Sequence, residues 1–397
     1  MDLLSYQLGG FAIKGLLVKT GIDPKLVDGV ILGNVIASVK TPNVAREAAL
    51  VAGIPHKAPC RTVSQACISA NRAIADAYQE IMTGHADIII AGGIEHISDA
   101  PIQFPKKMRK KLFLAHKLKG LGDGIKFLSS LRVSDFIPER PAIAEYTTNK
   151  SMGSDCDIMA ARFGIPRAEQ DAYAMRSHQM ATEAQQKGFL TEEMVNVKFP
   201  PKFNEIQNDN GIRADSKINK LAKLRPAFDK KFGTLTAANS SFLTDGASAV
   251  LLMSEEKAKY LGFIAKAEIV DFTFTGQRLE DELLLGPAYA VYKLLNQQKL
   301  TFKNIDVIEF HEAFAGQILS NLKVLASDDF AIKELGLKKS LGEVPMEKFN
   351  LWGGSLSIGH PFGATGGRLL TTTCNRLKHE KGTYGLLAAC AAGAHGH

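Results

Sequence analysis

Short apolar runs alternate with helical stretches along this 397-residue chain, and no other feature constrains its fold as much. The runs GVILGNV (29 to 35) and ADIIIAGGIE (86 to 95) predict buried strands, because short, continuous apolar segments bounded by turn residues are typical of buried strands. Further strands are predicted at AKAEIVDFTF (265 to 274), IDVIEFHEAF (305 to 314) and YGLLAAC (384 to 390), with helices after Ala315 and after Gly366. This alternation predicts a layered α/β architecture.

The two ends of the chain share one plan, in which a strand is followed by a reactive residue at a turn and then by a helix. Near the start, CRTVSQ leads to Cys67 and then to a helical stretch that ends near Gly84. Near the end, His360 holds the corresponding place in GHPFGATGG. We therefore expect an internal duplication of one α/β unit.

Bulk properties exclude several classes of protein. No stretch of eighteen apolar residues occurs, so a transmembrane helix is not expected. Five cysteines, an odd number in a long chain without a signal peptide, favour a reducing compartment over a disulfide framework. The N-terminus MDLLSYQLGG has no basic leader, so an imported protein would carry its leader outside this sequence.

Cys67 is the first candidate catalytic residue. A thiol at a helix N-terminus meets free backbone N–H groups and the positive end of the helix dipole, and both are expected to lower its pKa. The small residues Ala66, Ser69 and Ala70 leave room for a ligand. Taken alone, the cysteine would more often be a buried structural residue than a catalytic one.

Three further residues add to Cys67. His360 lies among six glycines in LWGGSLSIGHPFGATGGRLL, where a ligand can approach the backbone and the imidazole can act as a base. Cys390, in the C-terminal CAAGAHGH, follows a strand and offers a second thiol, although it can also be read as a small core residue. His311 and Glu312 end the strand IDVIEF at the carboxyl edge where α/β sites collect. A metal site of His311, Glu312 and His360 is a competing reading, but the spacing is not that of a metal motif.

Together these motifs resemble the thiolase family, and the similarity runs over nearly the whole chain. It is carried by NVAREAALVAGIP, TVSQACISAN, AGGIEHIS, GTLTAANSSFLTDGASA, HEAF, NLWGGSLSIGHPFGATGGR and CAAG, in that order. His311 in HEAF and the basic insertion KKMRKKLFLAHKLK favour the mitochondrial long-chain 3-ketoacyl-CoA thiolase branch. The resemblance implies a thiolase-like duplicated core in layers α-β-α-β-α, with an inserted loop domain.

The resemblance also implies a role for each site residue. Cys67 would take up the acyl group, and His360 would activate it. Cys390 would protonate the departing acetyl-CoA enolate and then deprotonate CoA, and His311 would support the enolate oxyanion hole. The backbone N–H groups of Cys67 and Ala392 would form a second oxyanion hole. Ser241 and Met152 would line the pantetheine channel, and Phe314 would form a wall of the acyl pocket. No cofactor and no metal is implied, because coenzyme A is a substrate.

A basic segment distinguishes the chain within this family. Nine Lys or Arg residues and one acid, Asp123, lie between Lys106 and Arg132, so this stretch carries a charge of +8, and the rest of the chain, whose total is +7, is about neutral. Basic residues alternate with Leu, Phe and Met, which predicts an amphipathic helix on an anionic membrane, although a solvated loop remains an alternative. Nucleic-acid binding is not expected, since stacking aromatics are not interleaved with the charges. The resemblance further implies the matrix side of the inner mitochondrial membrane, and a homodimer within a hetero-oligomer that contains a hydratase/dehydrogenase α subunit.

The expected domains are an N-terminal core half (1–100, continued by 219–256), a loop insertion (101–218, with its membrane-facing segment at 105–132) and a C-terminal core half (257–397). The chain begins inside the family's first helix and stops at His397, so the first and last core strands are expected to be missing. In addition, Ala394 stands where the family has a glycine; if that position requires φ > 0, alanine costs of order 1 kcal/mol.

The resemblance implies CoA-dependent cleavage of medium- or long-chain 3-ketoacyl-CoA in fatty acid β-oxidation. Alternatives are an acetoacetyl-CoA-forming biosynthetic thiolase and a catalytically impaired structural or membrane-binding subunit. A decarboxylating ketoacyl synthase would carry one Cys and two His, so Cys390 argues against it. A Cys/His protease lacks support, since no extended peptide groove or orienting Asn is evident.

Overall fold

The computed structural model describes residues 3–139, 144–201 and 203–397. The helices are α1 (Ser5–Thr20), α2 (Val44–Val51), α3 (Ser69–Met82), α4 (Lys106–Ala115), α5 (Leu121–Ser130), α6 (Met152–Arg162), α7 (Arg167–Gln186), α8 (Phe189–Glu193), α9 (Ile218–Leu221), α10 (Glu255–Leu261), α11 (Gly286–Gln298), α12 (Ala315–Leu325), α13 (Asp328–Lys333), α14 (Ser355–Ile358) and α15 (Thr365–Glu380). The strands are β1 (Gly29–Gly33), β2 (Cys60–Val63), β3 (Ile88–Glu95), β4 (Val197–Phe199), β5 (Asn204–Ile206), β6 (Gly246–Met253), β7 (Thr275–Gly276), β8 (Val307–Phe310), β9 (Gly385–Ala388), β10 (Cys390–Ala391) and β11 (His395–Gly396).

The first core is a four-stranded sheet in the order β2-β1-β3-β6. The pairs β1–β2 and β1–β3 are parallel, and β6 runs antiparallel to β3. Every residue of β1 and β3 is buried, as expected for central parallel strands that helices cover on both faces. The helices α1 and α2 pack on one face, and α3 packs on the other.

The second core repeats this arrangement. Strand β8 pairs in parallel with β9, and on its other side Ile308 makes a parallel bridge with Phe349. The helix α15 packs against α3 and against β8 and β9, and it therefore lies between the two cores. The helices α11 and α12 pack on the far side, and their buried residues belong to the apolar cluster of this core (the second apolar cluster). The layered α-β-α-β-α arrangement predicted from the sequence is thus confirmed.

The predicted strand at 265–274 is wrong, because these residues form no strand and only the two-residue strand β7 follows them. Within the described part of the chain, no backbone–backbone hydrogen bond ties residues 264–274 to another segment. High β-propensity yields a strand only where a neighbouring strand supplies hydrogen-bond partners. A cleft of about 2360 Å³ runs between this segment, α1 and the edge of β6 that faces away from β3. That each core lacks a terminal strand stays a prediction.

The middle of the chain is more helical than the expected loop insertion. Buried side chains of α6 and α7, among them Cys156, Met159 and Tyr173, belong to the second apolar cluster. These helices therefore pack as part of the second core, while α4 and α5 lie at the surface with only Met108 buried. The domain bounds remain a prediction. Among the described residues, no helix has the length and apolarity to cross a bilayer.

Candidate active site

Cys67 lies in the turn between β2 and α3. The preceding residue, Ala66, adopts a left-handed conformation with φ of 46°, which turns the chain sharply before the helix. The hydroxyl of Ser69 accepts a hydrogen bond from the backbone N–H of Gln65 (2.8 Å) and donates one to the carbonyl of Ala66 (2.6 Å). Ser69 therefore holds the turn that positions the thiol.

His360 lies in the loop between α14 and α15. Its backbone N–H donates to Thr244 Oγ1 (3.0 Å), and its Nδ1 lies 2.7 Å from Thr365 Oγ1. The preceding Gly359 has φ of 109°, and a Cβ there would lie 2.5 Å from Thr244 Oγ1. Only glycine fits this close approach, so part of the glycine-rich run positions the imidazole.

His311 follows β8 directly, and its Nδ1 lies 2.9 Å from Ser355 Oγ. Its neighbour Glu312 makes separate contacts. The carboxylate of Glu312 is buried and accepts hydrogen bonds from four donors, namely Tyr173 Oη, Ser177 Oγ, Asn350 Nδ2 and the backbone N–H of Leu356. Glu312 therefore connects the HEAF segment to the loop before α14, and it does not join the histidines as a metal ligand would.

The structure brings Cys67, His311 and His360 together, although they are far apart in the sequence. The thiol sulfur and one ring nitrogen of each histidine lie within 4.8 Å of one another. The two imidazole centroids are 4.0 Å apart. Both Nε2 atoms are buried and have no hydrogen-bond partner among the described residues. Two imidazole nitrogens beside a thiol can accept a proton from it or donate to a substrate oxygen.

Cys390 completes the cluster from β10. The residue is buried, and this burial raises the pKa of its thiol well above the ordinary value. The nearby Cys67 adds a smaller increase. The backbone N–H groups of Ala392 and of Cys67 itself act on the Cys67 thiol and favour its thiolate form. Their assignment to an oxyanion hole, which requires N–H groups aimed at the substrate oxygen, stays a prediction.

The electrostatics of Cys67 differ from the expectation. Although the residue keeps some surface exposure, protein encloses its thiol, and this burial raises the pKa to about 12. The N–H groups of Ala392 and Cys67 lower the pKa by less, and Glu95 adds to the increase. The predicted lowering at the helix N-terminus is thus wrong for the resting site, since desolvation outweighs the N–H groups. Burial also lowers the pKa of His360 to about 3, so the resting pair is a neutral thiol and a neutral imidazole.

Two of the residues expected to bind substrate lie at the HEAF segment. The backbone N–H of Ser241 donates to Ala313 O (2.9 Å), and Ser240 forms a bridge with Phe314, which is the last residue of HEAF. Phe314 makes an edge-to-face contact with Phe228 at 5.9 Å. Met152 begins α6 and packs, partly buried, against the apolar core that contains Cys156 and Met159. The assignment of these residues to coenzyme A and acyl binding stays a prediction.

Sequence reasoning missed three polar residues that orient the site. Ser355 and Thr365 each contact the Nδ1 of one histidine. Glu95, at the end of β3, accepts hydrogen bonds from the backbone N–H groups of Val35, Ile36 and Gly363, and so ties the end of the first sheet to the His360 loop. Glu95 ends a fully apolar strand, which was a signal that it has a special role; the two hydroxyls carried no comparable signal.

Comparison with known proteins agrees with this geometry. Residues 1–256 match the thiolase N-terminal domain, and residues 263–397 match the thiolase C-terminal domain. The chain is 51% identical over 396 residues to the mitochondrial trifunctional enzyme subunit beta of Bos taurus, covering all of this chain and 83% of that protein. It is 48% identical over 395 residues to a probable 3-ketoacyl-CoA thiolase of Caenorhabditis elegans, covering all of this chain and 88% of that protein.

A solved structure extends the similarity to the fold. The crystal structure of the Bacillus anthracis acetyl-CoA acetyltransferase superposes with a TM-score of 0.82 at 30% identity, over all of this chain and 92% of that one. The branch expected from HEAF and the basic insertion agrees with the trifunctional subunit among the similar proteins. With both thiolase domains matched in sequence and the duplicated core present in the structure, this chain belongs to the thiolase family.

Proposed function

We propose that this chain is a 3-ketoacyl-CoA thiolase that cleaves medium- or long-chain 3-ketoacyl-CoA with coenzyme A. The observation that carries the proposal is the convergence of the Cys67 thiol with His311 and His360, and with a second buried thiol, Cys390. The reaction must form a thioester and also protonate an enolate, and one group cannot be both nucleophile and acid. Its relatives named as trifunctional enzyme subunit beta and 3-ketoacyl-CoA thiolase agree with this reaction.

In the first half-reaction, the Cys67 proton passes to His360 Nε2 as the sulfur attacks the 3-keto carbon. Because both groups are neutral at rest, the proton transfer accompanies the attack and does not precede it. The C2–C3 bond then breaks, and its electron pair forms the enolate of acetyl-CoA. Cys390 protonates that enolate at carbon, which leaves an acyl group on Cys67 and a thiolate on Cys390.

In the second half-reaction, the Cys390 thiolate takes the proton of incoming coenzyme A. The CoA sulfur attacks the acyl thioester, and the backbone N–H groups of Cys67 and Ala392 stabilise the tetrahedral oxyanion. Collapse releases the shortened acyl-CoA, and the Cys67 sulfur recovers the proton that His360 held. Ser241, Met152 and Phe314 bind the pantetheine and acyl portions. The cycle uses no cofactor, since coenzyme A enters as a substrate.

Mass spectrometry of the protein mixed with acyl-CoA tests this proposal. We expect a mass increase of one acyl group on the Cys67 peptide, and we expect Cys67→Ala to abolish both the adduct and the cleavage of 3-ketoacyl-CoA. Cys60→Ala is the matched control, because Cys60 is also a partly buried free cysteine and lies before the turn, in β2. An acyl adduct on another cysteine, or full turnover by Cys67→Ala, would exclude the mechanism. Protein that takes up no acyl group would instead support an impaired structural subunit.

A membrane-bound location is the second part of the proposal. In the segment of α4 and α5, Phe113 is 81% exposed, and Leu121, Ile125 and Leu128 are 91%, 67% and 66% exposed. The last three follow helical spacing on α5 and form one apolar face beside many lysines. Exposed apolar side chains beside cations suit an anionic bilayer, where each Lys or Arg contributes about 1 kcal/mol. We assign this surface to the matrix side of the inner mitochondrial membrane.

Charge reversal tests the membrane surface without disturbing the fold. Lys111 is unsuitable, because its ammonium forms an ion pair with Asp135 at 2.6 Å. Lys106, Lys107 and Lys110 are exposed and have no ion-pair partner among the described residues, so we expect their triple change to Glu to reduce co-sedimentation with cardiolipin liposomes. The control changes the exposed Lys303, Lys338 and Lys339 to Glu, with the same change in net charge. Equal sedimentation of both variants and the parent would exclude the surface.

The assembly is proposed from the relatives alone. The proteins named as trifunctional enzyme subunit beta imply an α subunit as partner, and we propose a hydratase/dehydrogenase in that position, with this chain as a homodimer inside the complex. Co-purification with an α subunit of that class, followed by measurement of mass in solution, tests both statements. A monomer that does not retain the α subunit would contradict them.

A further inference from the structure

The two site histidines use their Nδ1 atoms differently, and hydroxyl groups reveal the difference. His311 Nδ1 contacts Ser355 Oγ at 2.9 Å, and His360 Nδ1 contacts Thr365 Oγ1 at 2.7 Å. A hydroxyl carries one proton and can accept two hydrogen bonds. The other partner of each hydroxyl therefore decides which way its proton points, and so decides which nitrogen of each imidazole carries hydrogen.

Ser355 has Arg368 as its other partner. Arg368 Nη2 lies 3.1 Å from Ser355 Oγ, and a guanidinium can only donate. Ser355 is fully buried, and among the described residues its hydroxyl contacts no other acceptor than His311 Nδ1. The hydroxyl proton of Ser355 must therefore point to His311 Nδ1. A neutral His311 then carries its own proton on Nε2, the atom that has no hydrogen-bond partner among the described residues.

Thr365 has the opposite kind of partner. Its Oγ1 donates to the carbonyl of Pro361 at 3.1 Å, and that bond uses its only proton. Thr365 therefore accepts from His360 Nδ1–H, which leaves the Nε2 lone pair of His360 free. The two rings, 4.0 Å apart, thus present a base on His360 and a donor on His311.

We propose that Ser355 and Arg368 are positioning residues that fix His311 as the Nε2–H tautomer, so that His311 donates a hydrogen bond to the enolate oxygen. The proposal rests on the thiolase function argued above. A lone pair at Nε2 would repel that oxygen, so the tautomer matters as much as the position of the ring. Burial, with contributions from His360 and Arg368, also holds the pKa of His311 well below its usual range, which keeps the ring neutral.

Two reactions separate this role from general damage to the site. Thiolysis of a 3-ketoacyl-CoA forms the enolate, whereas exchange of labelled CoA into a saturated acyl-CoA uses Cys67 and Cys390 without an enolate. We expect Ser355→Ala to lower kcat for thiolysis at least tenfold while exchange changes less than threefold, because loss of an oxyanion donor costs about 10²–10³ in kcat and this variant weakens that donor without removing it. Ser357→Ala is the matched control, since Ser357 is equally buried in α14 and contacts Ser177 instead of His311.

Nitrogen-15 NMR of labelled histidine measures the tautomer directly and does not depend on turnover. In the parent, His311 should show a protonated Nε2 and an unprotonated Nδ1, and Ser355→Ala should shift population toward Nδ1–H. Arg368→Met should shift it the same way but by less, because the guanidinium no longer occupies a lone pair of Ser355 Oγ, while His311 Nδ1 stays the acceptor for the Ser355 proton. A parent with Nδ1–H, or equal losses of thiolysis and exchange in Ser355→Ala, would overturn the proposal. If the parent performs neither reaction, the thiolase function fails, and the NMR result still decides the tautomer.

Discussion

Replacing Arg376 with methionine should destabilise this protein more than replacing its partner Glu309 with leucine. The two side chains are both 0% exposed, and Arg376 Nη1 lies 2.6 Å from Glu309 Oε1. The pair joins α15, which begins at the His360 partner Thr365, to β8, which ends immediately before His311. It therefore helps to set the separation of the two site histidines.

The other contacts of the two side chains explain why Arg376→Met should destabilise the protein more than Glu309→Leu. Arg376 also pairs with Glu380 at 2.7 Å and donates to the carbonyl of Lys348 at 3.0 Å, so it keeps partners when Glu309 is removed. In the described part of the chain, the Oε2 atom of Glu309 has no hydrogen-bond partner, so the carboxylate is left without a charge partner when Arg376 is removed. The stranded carboxylate must bind a proton, which costs about 3.7 kcal/mol at pH 7 for a group with an ordinary pKa of about 4.3. Broken buried pairs cost about 3–5 kcal/mol. We expect a similar loss for Arg376→Met and about 1–3 kcal/mol for Glu309→Leu.

The pH dependence has a definite sign. In Arg376→Met the folded-state pKa of Glu309 lies above its unfolded-state pKa, so the free energy of unfolding falls as the pH rises above the unfolded-state pKa. Protonation costs about 1.6 kcal/mol at pH 5.5, so the deficit of this variant relative to the parent should shrink by about 2 kcal/mol between pH 7 and pH 5.5.

Urea denaturation of the parent, both single variants and the double variant at the two pH values measures these differences. The double variant should lose less than the sum of the single losses, since neither charge is left alone. The reasoning is refuted if Glu309→Leu is the more damaging change, or if the deficit of Arg376→Met does not depend on pH.

Three other changes test the site and its surroundings. Ala394 is fully buried with φ of 54°. In Ala394→Gly, relief of about 1 kcal/mol of backbone strain opposes the loss of a buried methyl worth about 0.8 kcal/mol, so the thermal midpoint should hardly move. Ala394→Val should lower the free energy of unfolding by at least about 2 kcal/mol. Burial lowers the pKa of His360 to about 3, so between pH 6.5 and pH 5 the free energy of unfolding should fall by about 2 kcal/mol as the unfolded chain takes up a proton that the folded protein does not. His360→Asn should flatten the decline of the urea midpoint over that range, and an unchanged slope would contradict the assignment. Glu312→Gln places an amide N–H₂ against a hydrogen-bond donor and should cost about 1–3 kcal/mol in the same assay; a neutral result would show that the four contacts of Glu312 do not hold the HEAF segment.

The sequence by itself determined the family and the layered α/β class, and it named the candidates for the reactive residues. Those features are local: the apolar runs of β1 and β3 predict buried strands at any position, and the glycines around His360 show where a backbone must approach another group. Cys67, His311, His360 and Cys390 were named for the same reason, because each stands at a strand end or turn that its immediate neighbours define.

The tertiary structure alone decided which strands find partners and what state the reactive groups adopt. Residues 265–274 have the composition of a strand and form none, because pairing depends on a neighbour distant in the chain. The Cys67 pKa rises where its helix N-terminus predicted a decrease, because desolvation depends on everything packed around the thiol. The tautomers of His311 and His360 follow from Ser355 and Thr365 together with the partners of those hydroxyls, and hydrogen-bond geometry of this kind exists only after the chain has folded.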